Sequence, residues 1–166
     1  HNAGLLHLDI SPDNIMIADT IKLIDFGAVG KAGEKRKGSL WVRNGYSPPE
    51  QHARQAILDC PTDLYAVGAV LYEILTGVRP PVSLLRIDDD TLAAPQELRG
   101  DISDDMNQIL LKAMAVRPED RYQSADEMGE ALLRGSDAGE QIKKALLAAA
   151  AAVLVLAVTA LLTELT

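Results

Sequence analysis

The stretch His7-Leu8-Asp9-Ile10-Ser11-Pro12-Asp13-Asn14, with Asp25-Phe26-Gly27 beginning eleven residues after Asn14, decides how this chain is read. An aspartate able to accept a hydroxyl proton, an asparagine five residues on and a further carboxylate beyond a short hairpin suit phosphoryl transfer. That reaction asks the protein for a positioned nucleophile and for metal ions that neutralise phosphate charge, and for little covalent chemistry. Asp9 is the candidate base, while Asn14 and Asp25 offer the hard oxygen ligands that Mg²⁺ takes. Each segment follows an apolar, strand-like run, Gly4-Leu5-Leu6 and then Ile21-Lys22-Leu23-Ile24.

Working outward, Ile15-Met16-Ile17 and Ile21-Lys22-Leu23-Ile24 flank Ala18-Asp19-Thr20 and predict a small hairpin. Residues 28 to 47 are glycine-rich and basic, with Lys31, Lys35, Arg36 and Lys37, and read as a mobile activation segment or simply a solvated loop, composition alone favouring the loop. From Thr62 the pattern turns helical: Thr62 is the expected cap, Asp63 suits the positive helix start, and Gly77 sits where a stop belongs. Leu64, Val67, Val70, Leu71, Ile74 and Leu75 recur between them, and a helix apolar on most faces is buried. Residues 78 to 102 read as loop with short helical pieces. Ser103 caps a helix with Asp104 and Asp105 in its first turn, and Ser124 with Glu127 makes a capping box for the next, ended by Gly135.

Composition narrows the class. The 166 residues give room for one domain and an appendage, and 16 basic against 24 acidic residues leave a net charge of −8. Such a chain has no electrostatic footprint for nucleic acid. Its single cysteine, Cys60, excludes an internal disulfide framework and suits a reducing compartment.

The quoted segments resemble the catalytic loop H-R-D-L-x-x-x-N and the D-F-G metal loop of the protein kinases. Three further stretches fit the same family: Ser47-Pro48-Pro49-Glu50 resembles the Ala-Pro-Glu closing the activation segment, Asp63-Leu64-Tyr65-Ala66-Val67-Gly68 resembles Asp-x-Trp-Ser-x-Gly, and Arg121 stands where the family pairs an arginine with that glutamate. The resemblance implies a mainly α, α+β kinase-like fold with ATP and Mg²⁺ as cofactors and protein Ser/Thr hydroxyls as substrate. It implies Asp9 as catalytic base, and Asn14 and Asp25 as ligands of the nucleotide-bound metal. His7 is expected to pack under the metal loop and bond backbone, Phe26 to face the core as a switch residue, and Gly27 to adopt angles other residues resist. Glu50 and Arg121 are expected to pair, and Asp63 to hold the backbone of the catalytic loop.

No glycine-rich phosphate loop and no Val-Ala-Ile-Lys strand occurs in the sequence, so residues 1–134 are expected to form a kinase C-lobe without its N-lobe, inactive alone. Residues 135–144 then read as a linker. Residues 145–163 carry no charge, and as a helix would span about 28 Å, close to a bilayer's hydrocarbon thickness. Lys143 and Lys144 before this segment and Glu164 after it predict a single-pass membrane helix with the kinase side cytoplasmic, an arrangement resembling the membrane-anchored Ser/Thr kinases of bacteria.

Three positions depart from the family pattern. Leu8 replaces the arginine that would meet a phosphorylated activation loop, which weakens the regulatory meaning of Ser39, the residue standing about where a phosphosite would be. Ser11 stands in the catalytic loop where a lysine usually steadies the transferring phosphate. Arg43 occupies the place of a threonine that contacts the catalytic aspartate. The leading reading is a membrane-tethered Ser/Thr kinase; the alternative is a membrane-anchored pseudokinase that binds or scaffolds.

Overall fold

The computed structural model describes residues 1–17, 19, 21–35 and 41–134. Ser39, the linker 135–144 and the segment 145–163 lie outside them. Among the described residues no helix is long and apolar enough to cross a membrane.

Helix α1 (Cys60–Thr76) organises the rest. Asp59, not Thr62, caps it: the Asp59 side chain accepts the Cys60 N–H at 2.7 Å, and Pro61 occupies the first turn, where its missing N–H costs nothing. Thr62 instead turns its hydroxyl outward from the helix and donates to Glu50 Oε1 at 3.1 Å. Gly77 ends the helix in the left-handed region, φ 75°, with its N–H on the Glu73 carbonyl, as the stop signal predicted. Leu64, Tyr65, Ala69, Val70, Tyr72 and Leu75 are all buried, so α1 is enclosed on nearly every face.

Helix α3 (Asp104–Ala113) crosses α1 where Gly68 carries no side chain; a Cβ there would stand 2.8 Å from Ala113 Cβ. Ser103 caps α3 by accepting the Met106 N–H at 3.3 Å, and Met106, Ile109 and Leu110 turn inward. Helix α4 (Ala125–Arg134) covers the outer end through Met128. Ser124 accepts the Glu127 N–H, but the Glu127 carboxylate reaches the Gln123 N–H, one residue before the cap, and also takes Lys112 Nζ at 2.7 Å.

The stretch 78–102 is loop with a helical turn at Ser83–Arg86 and the short α2 (Pro95–Leu98). Arg86 ties it to the core: its fully buried guanidinium donates to the Tyr65 hydroxyl, the Met114 carbonyl and both Asp90 oxygens. Two small antiparallel ladders lie at the other end. Strand β1 (Leu5–Leu6) pairs with β4 (Gly30–Lys31), and β2 (Ile15–Ile17) pairs with β3 (Ile21–Leu23) in the register Ile15–Leu23, Met16–Lys22, Ile17–Ile21. Both ladders present catalytic-loop residues at their ends.

Candidate active site

The catalytic-loop backbone is fixed from below by α1. Asp63, buried in the first turn of α1, accepts the His7 N–H at 2.7 Å and the Leu8 N–H at 2.9 Å. Burial pushes the Asp63 carboxyl above its ordinary range, and these two N–H groups pull the other way. Leu8 is held at φ 62°, a conformation side chains resist, by that carboxylate and by Gln51 Nε2 on its carbonyl. The strained residue turns the chain so that Asp9 leaves it facing the hairpin.

Asp9 is 6 % exposed. Asn14 Nδ2 donates at 2.8 Å to both the Asp9 carbonyl and Asp9 Oδ2, so the two side chains form one unit across the turn Pro12–Asn14. Asn14 is in turn anchored to the second segment, because the Ile24 N–H donates to the Asn14 carbonyl at 2.9 Å. Asp25 follows at φ 60°, which an aspartate tolerates better than most residues, and its Oδ1 accepts the Gly27 N–H at 3.1 Å.

Several expectations need correction here. Gly27 is not in the left-handed region; a Cβ on it would come 3.1 Å from Asp25 Oδ1, so glycine serves close approach to the carboxylate. Phe26 is 63 % exposed, with its ring 5.0 Å from the His7 ring. It stands over an open groove lined by Leu6, Ile10, Leu23 and Val67, and the described residues cover its outer face with nothing apolar. Ser11 is 1 % exposed and its hydroxyl has no hydrogen-bond partner among the described residues, so it makes no hydrogen bond to Asp9. His7 packs against Phe26 and its Nδ1 accepts the Asp9 N–H at a long 3.4 Å.

Residues 41–51 close over the loop. Arg43 reaches Asp9 with Nε on Oδ1 at 2.9 Å and Nη2 on Oδ2 at 3.3 Å, while Nη1 meets Asp13 Oδ2 at 3.2 Å. The Asp9 hydrogen bond and charge, with Asp13 and Asp25 adding to them, hold its guanidinium above the ordinary arginine value. Gln51 donates to the Leu8 and Trp41 carbonyls, stitching catalytic loop to activation segment. Glu50 receives Arg121 Nη1 at 2.7 Å and Nη2 at 3.0 Å. Gln51 and Asp13 are absent from the sequence-derived site; the adjacency of Gln51 to Glu50 and of Asp13 to Asn14 was the available signal.

The donor set suits a nucleotide-bound divalent cation. Asn14 commits its amide nitrogen to Asp9, which aims the amide oxygen away from it, and the exposed Asp25 carboxylate keeps Oδ2 outside its hydrogen bond to Gly27. Both are hard oxygen donors. Among the described residues no cluster of three or more His, Cys, Asp or Glu gathers into an all-protein metal cage, and Mg²⁺ is ordinarily held by few protein ligands plus phosphate oxygens.

Residues 1–132 match the protein kinase domain family. The chain belongs to the protein kinase family. It is 39 % identical over 147 residues to the serine/threonine-protein kinase PknB of Mycobacterium leprae, covering 81 % of this chain and 23 % of that protein. It is also 39 % identical over 141 residues to the tyrosine-protein kinase MasK of Myxococcus xanthus, covering 78 % of this chain and 22 % of that one. Among solved structures, the apo form of PpkA-294 superposes with a TM-score of 0.64 at 35 % identity, over 80 % of this chain and 48 % of its own. The chain thus spans under a quarter of the length of these two curated relatives. As a kinase domain, its mainly helical architecture with two small ladders is the fold the resemblance implied.

Proposed function

We propose that this chain carries the phosphoryl-transfer half of a protein serine/threonine kinase. The observation that carries the reading is the Asp9–Asn14 unit, bonded at 2.8 Å and tied at the Asn14 carbonyl to the N–H of Ile24, the residue before Asp25. In this reading Asp9 accepts the proton of a substrate hydroxyl as the oxygen bonds to the γ-phosphorus. The bond from that phosphorus to the bridging oxygen breaks, and ADP leaves with the electron pair. Mg²⁺, when bound, neutralises charge on the phosphates; Asn14 and Asp25 are the residues that would hold it. The glycine-rich loop and strand lysine that clamp ATP are not in this sequence, and other elements of the whole protein would supply them.

The choice of Ser/Thr over Tyr rests on the likeness to kinases bearing that name, among them those of Mycobacterium leprae and Clostridium acetobutylicum at 39 % identity, although MasK is 39 % identical too. A membrane location rests on the uncharged run 145–163 flanked by Lys143, Lys144 and Glu164. A binding-only pseudokinase is the second reading, favoured by the uncharged, buried Ser11 in the catalytic loop.

The test is Mg²⁺-dependent phosphate transfer by the whole protein beside its Asp9→Asn variant. Transfer that falls by at least about 100-fold in the variant supports the enzyme, since general-base catalysis alone contributes about 10²–10⁴-fold. Equal transfer by both refutes the assignment of Asp9, and no transfer by the wild type favours the pseudokinase.

A further inference from the structure

Among the described residues, the guanidinium of Arg43 is the one side chain of the activation segment that grips the candidate base from the solvent side. Its partner Asp9 is 6 % exposed, whereas Arg43 itself is 41 % exposed, so its outer edge faces the space from which a phosphate would approach. The contact differs from the Arg43–Asp13 pair, where the carboxylate is 77 % exposed and the interaction is an ordinary surface one.

The placement of Arg43 is built, not incidental. Its backbone N–H donates to Ser47 Oγ at 2.9 Å, and its carbonyl accepts the N–H groups of Tyr46 and Ser47 at 3.0 and 2.9 Å. Two residues earlier, Trp41 is held through its carbonyl by Gln51. The arginine is therefore delivered to Asp9 by a closed turn fastened to the same glutamine that holds Leu8.

Counting donors and acceptors shows what the clamp leaves open. Asp9 Oδ2 takes Asn14 and Arg43, while among the described residues Oδ1 takes only Arg43 Nε and keeps a lone pair for a substrate hydroxyl. Among the described residues Arg43 uses one N–H at each of its three nitrogens, leaving one N–H on Nη1 and one on Nη2 of its five without a partner there. Meanwhile Ser11, in the same loop, brings no charge, and its hydroxyl makes no hydrogen bond among the described residues.

Resting on the phosphoryl-transfer reading above, we infer that Arg43 is a positioning residue for Asp9 that also brings to the catalytic loop the positive charge Ser11 does not. It fixes both carboxylate oxygens, so the hydroxyl proton passes to Oδ1 in one geometry. Its remaining Nη1 and Nη2 N–H groups would be available to phosphoryl oxygens, whose charge is greatest in transfer. A latch that merely blocks the base would require the opposite behaviour on removal.

The experiment measures kcat and the KM for ATP in the whole protein for wild type, Asp9→Asn, Arg43→Lys and Arg43→Gln, with unfolding midpoints alongside. Arg43→Gln is expected to lower kcat by about 100-fold with KM for ATP within about two-fold. Arg43→Lys, whose ammonium cannot fork across two oxygens, is expected to recover part of the loss, to about ten-fold below wild type. Should Arg43→Gln fail to fold, Arg43→Lys carries the test alone. Transfer that depends on Asp9 but is unchanged or raised in either Arg43 variant overturns this inference and leaves the kinase reading standing. No transfer by the wild type, or transfer indifferent to Asp9→Asn, overturns both.

Discussion

Removing the Arg121 side chain is the perturbation whose cost the structure fixes most closely. Its side chain is wholly buried, and every one of its N–H groups is used: Nε on the Ala115 carbonyl, Nη1 on Glu50 Oε1 and the Pro61 carbonyl, Nη2 on Glu50 Oε2 and the Val116 carbonyl. The guanidinium also lies 4.9 Å over the Tyr65 ring. Arg121→Ala would leave Glu50, only 16 % exposed, with Thr62 as its remaining side-chain partner, and three carbonyls would lose a donor. Breaking one partner of a buried pair costs about 3–5 kcal/mol, which in a domain of this size lowers Tm by roughly 6–20 °C. Arg121→Lys, with three donors in place of five, should cost about half as much. Thermal and denaturant unfolding of Arg121→Ala, Glu50→Gln and the double variant would read this directly. The double variant should cost at least about 1 kcal/mol less than the sum of the singles, because the second change removes a group already orphaned. An Arg121→Ala loss below about 1 kcal/mol, or additivity within about 0.5 kcal/mol, would refute the reasoning.

Two further outcomes follow from the packing of α1. Burial, and then the hydrogen bond from its hydroxyl to Glu73, push the Tyr46 phenol up to about 12. Because the folded value lies above the unfolded value of about 10, this stability is complete below pH 10 and is lost as pH rises through about 12. Glu73→Gln should lower the Tyr46 midpoint in an ultraviolet titration and shrink the alkaline loss; an unmoved midpoint would remove Glu73 from the account. Gly68→Ala should destabilise by about 1–3 kcal/mol although alanine favours helix by about 1 kcal/mol, because its Cβ would stand 2.8 Å from Ala113 Cβ. A net gain in its denaturation midpoint would show that α1 and α3 can part cheaply.

What the sequence made legible separates by range of interaction. Asp9 and Asn14 are five residues apart, and the hairpin that brings Asp25 beside them is local, so residue type and spacing sufficed for their grouping. The Gly77 stop and the Ser103 cap are local too, and both stand where they were expected. Thr62 misled because Thr-Asp at a helix start looks like a cap, while Pro61 lets the helix begin earlier and Asp59 takes the role. Glu50 and Arg121 lie 71 residues apart, and only the family resemblance connected them.

The contacts that residue type and spacing alone did not reveal are those whose meaning depends on a partner far along the chain. Arg43 meets Asp9 across 34 residues and Gln51 meets Leu8 across 43. Nothing in residue type marks either as part of a site, since a lone arginine or glutamine in a polar loop is ordinarily solvated. The family resemblance put Arg43 where a threonine contacts the catalytic aspartate, and the structure shows the arginine making a two-pronged contact with Asp9 in its place. Phe26 makes the complementary point: a side chain faces a core only where neighbours cover it, and that cover is a property of the surrounding elements, not of the Asp-Phe-Gly motif. The donor geometry around Asp9 and the groove under Phe26 are therefore separable features of this domain. The first is set by bonds among residues 7–51; the second is an open groove lined by Leu6, Ile10, Leu23, Phe26 and Val67.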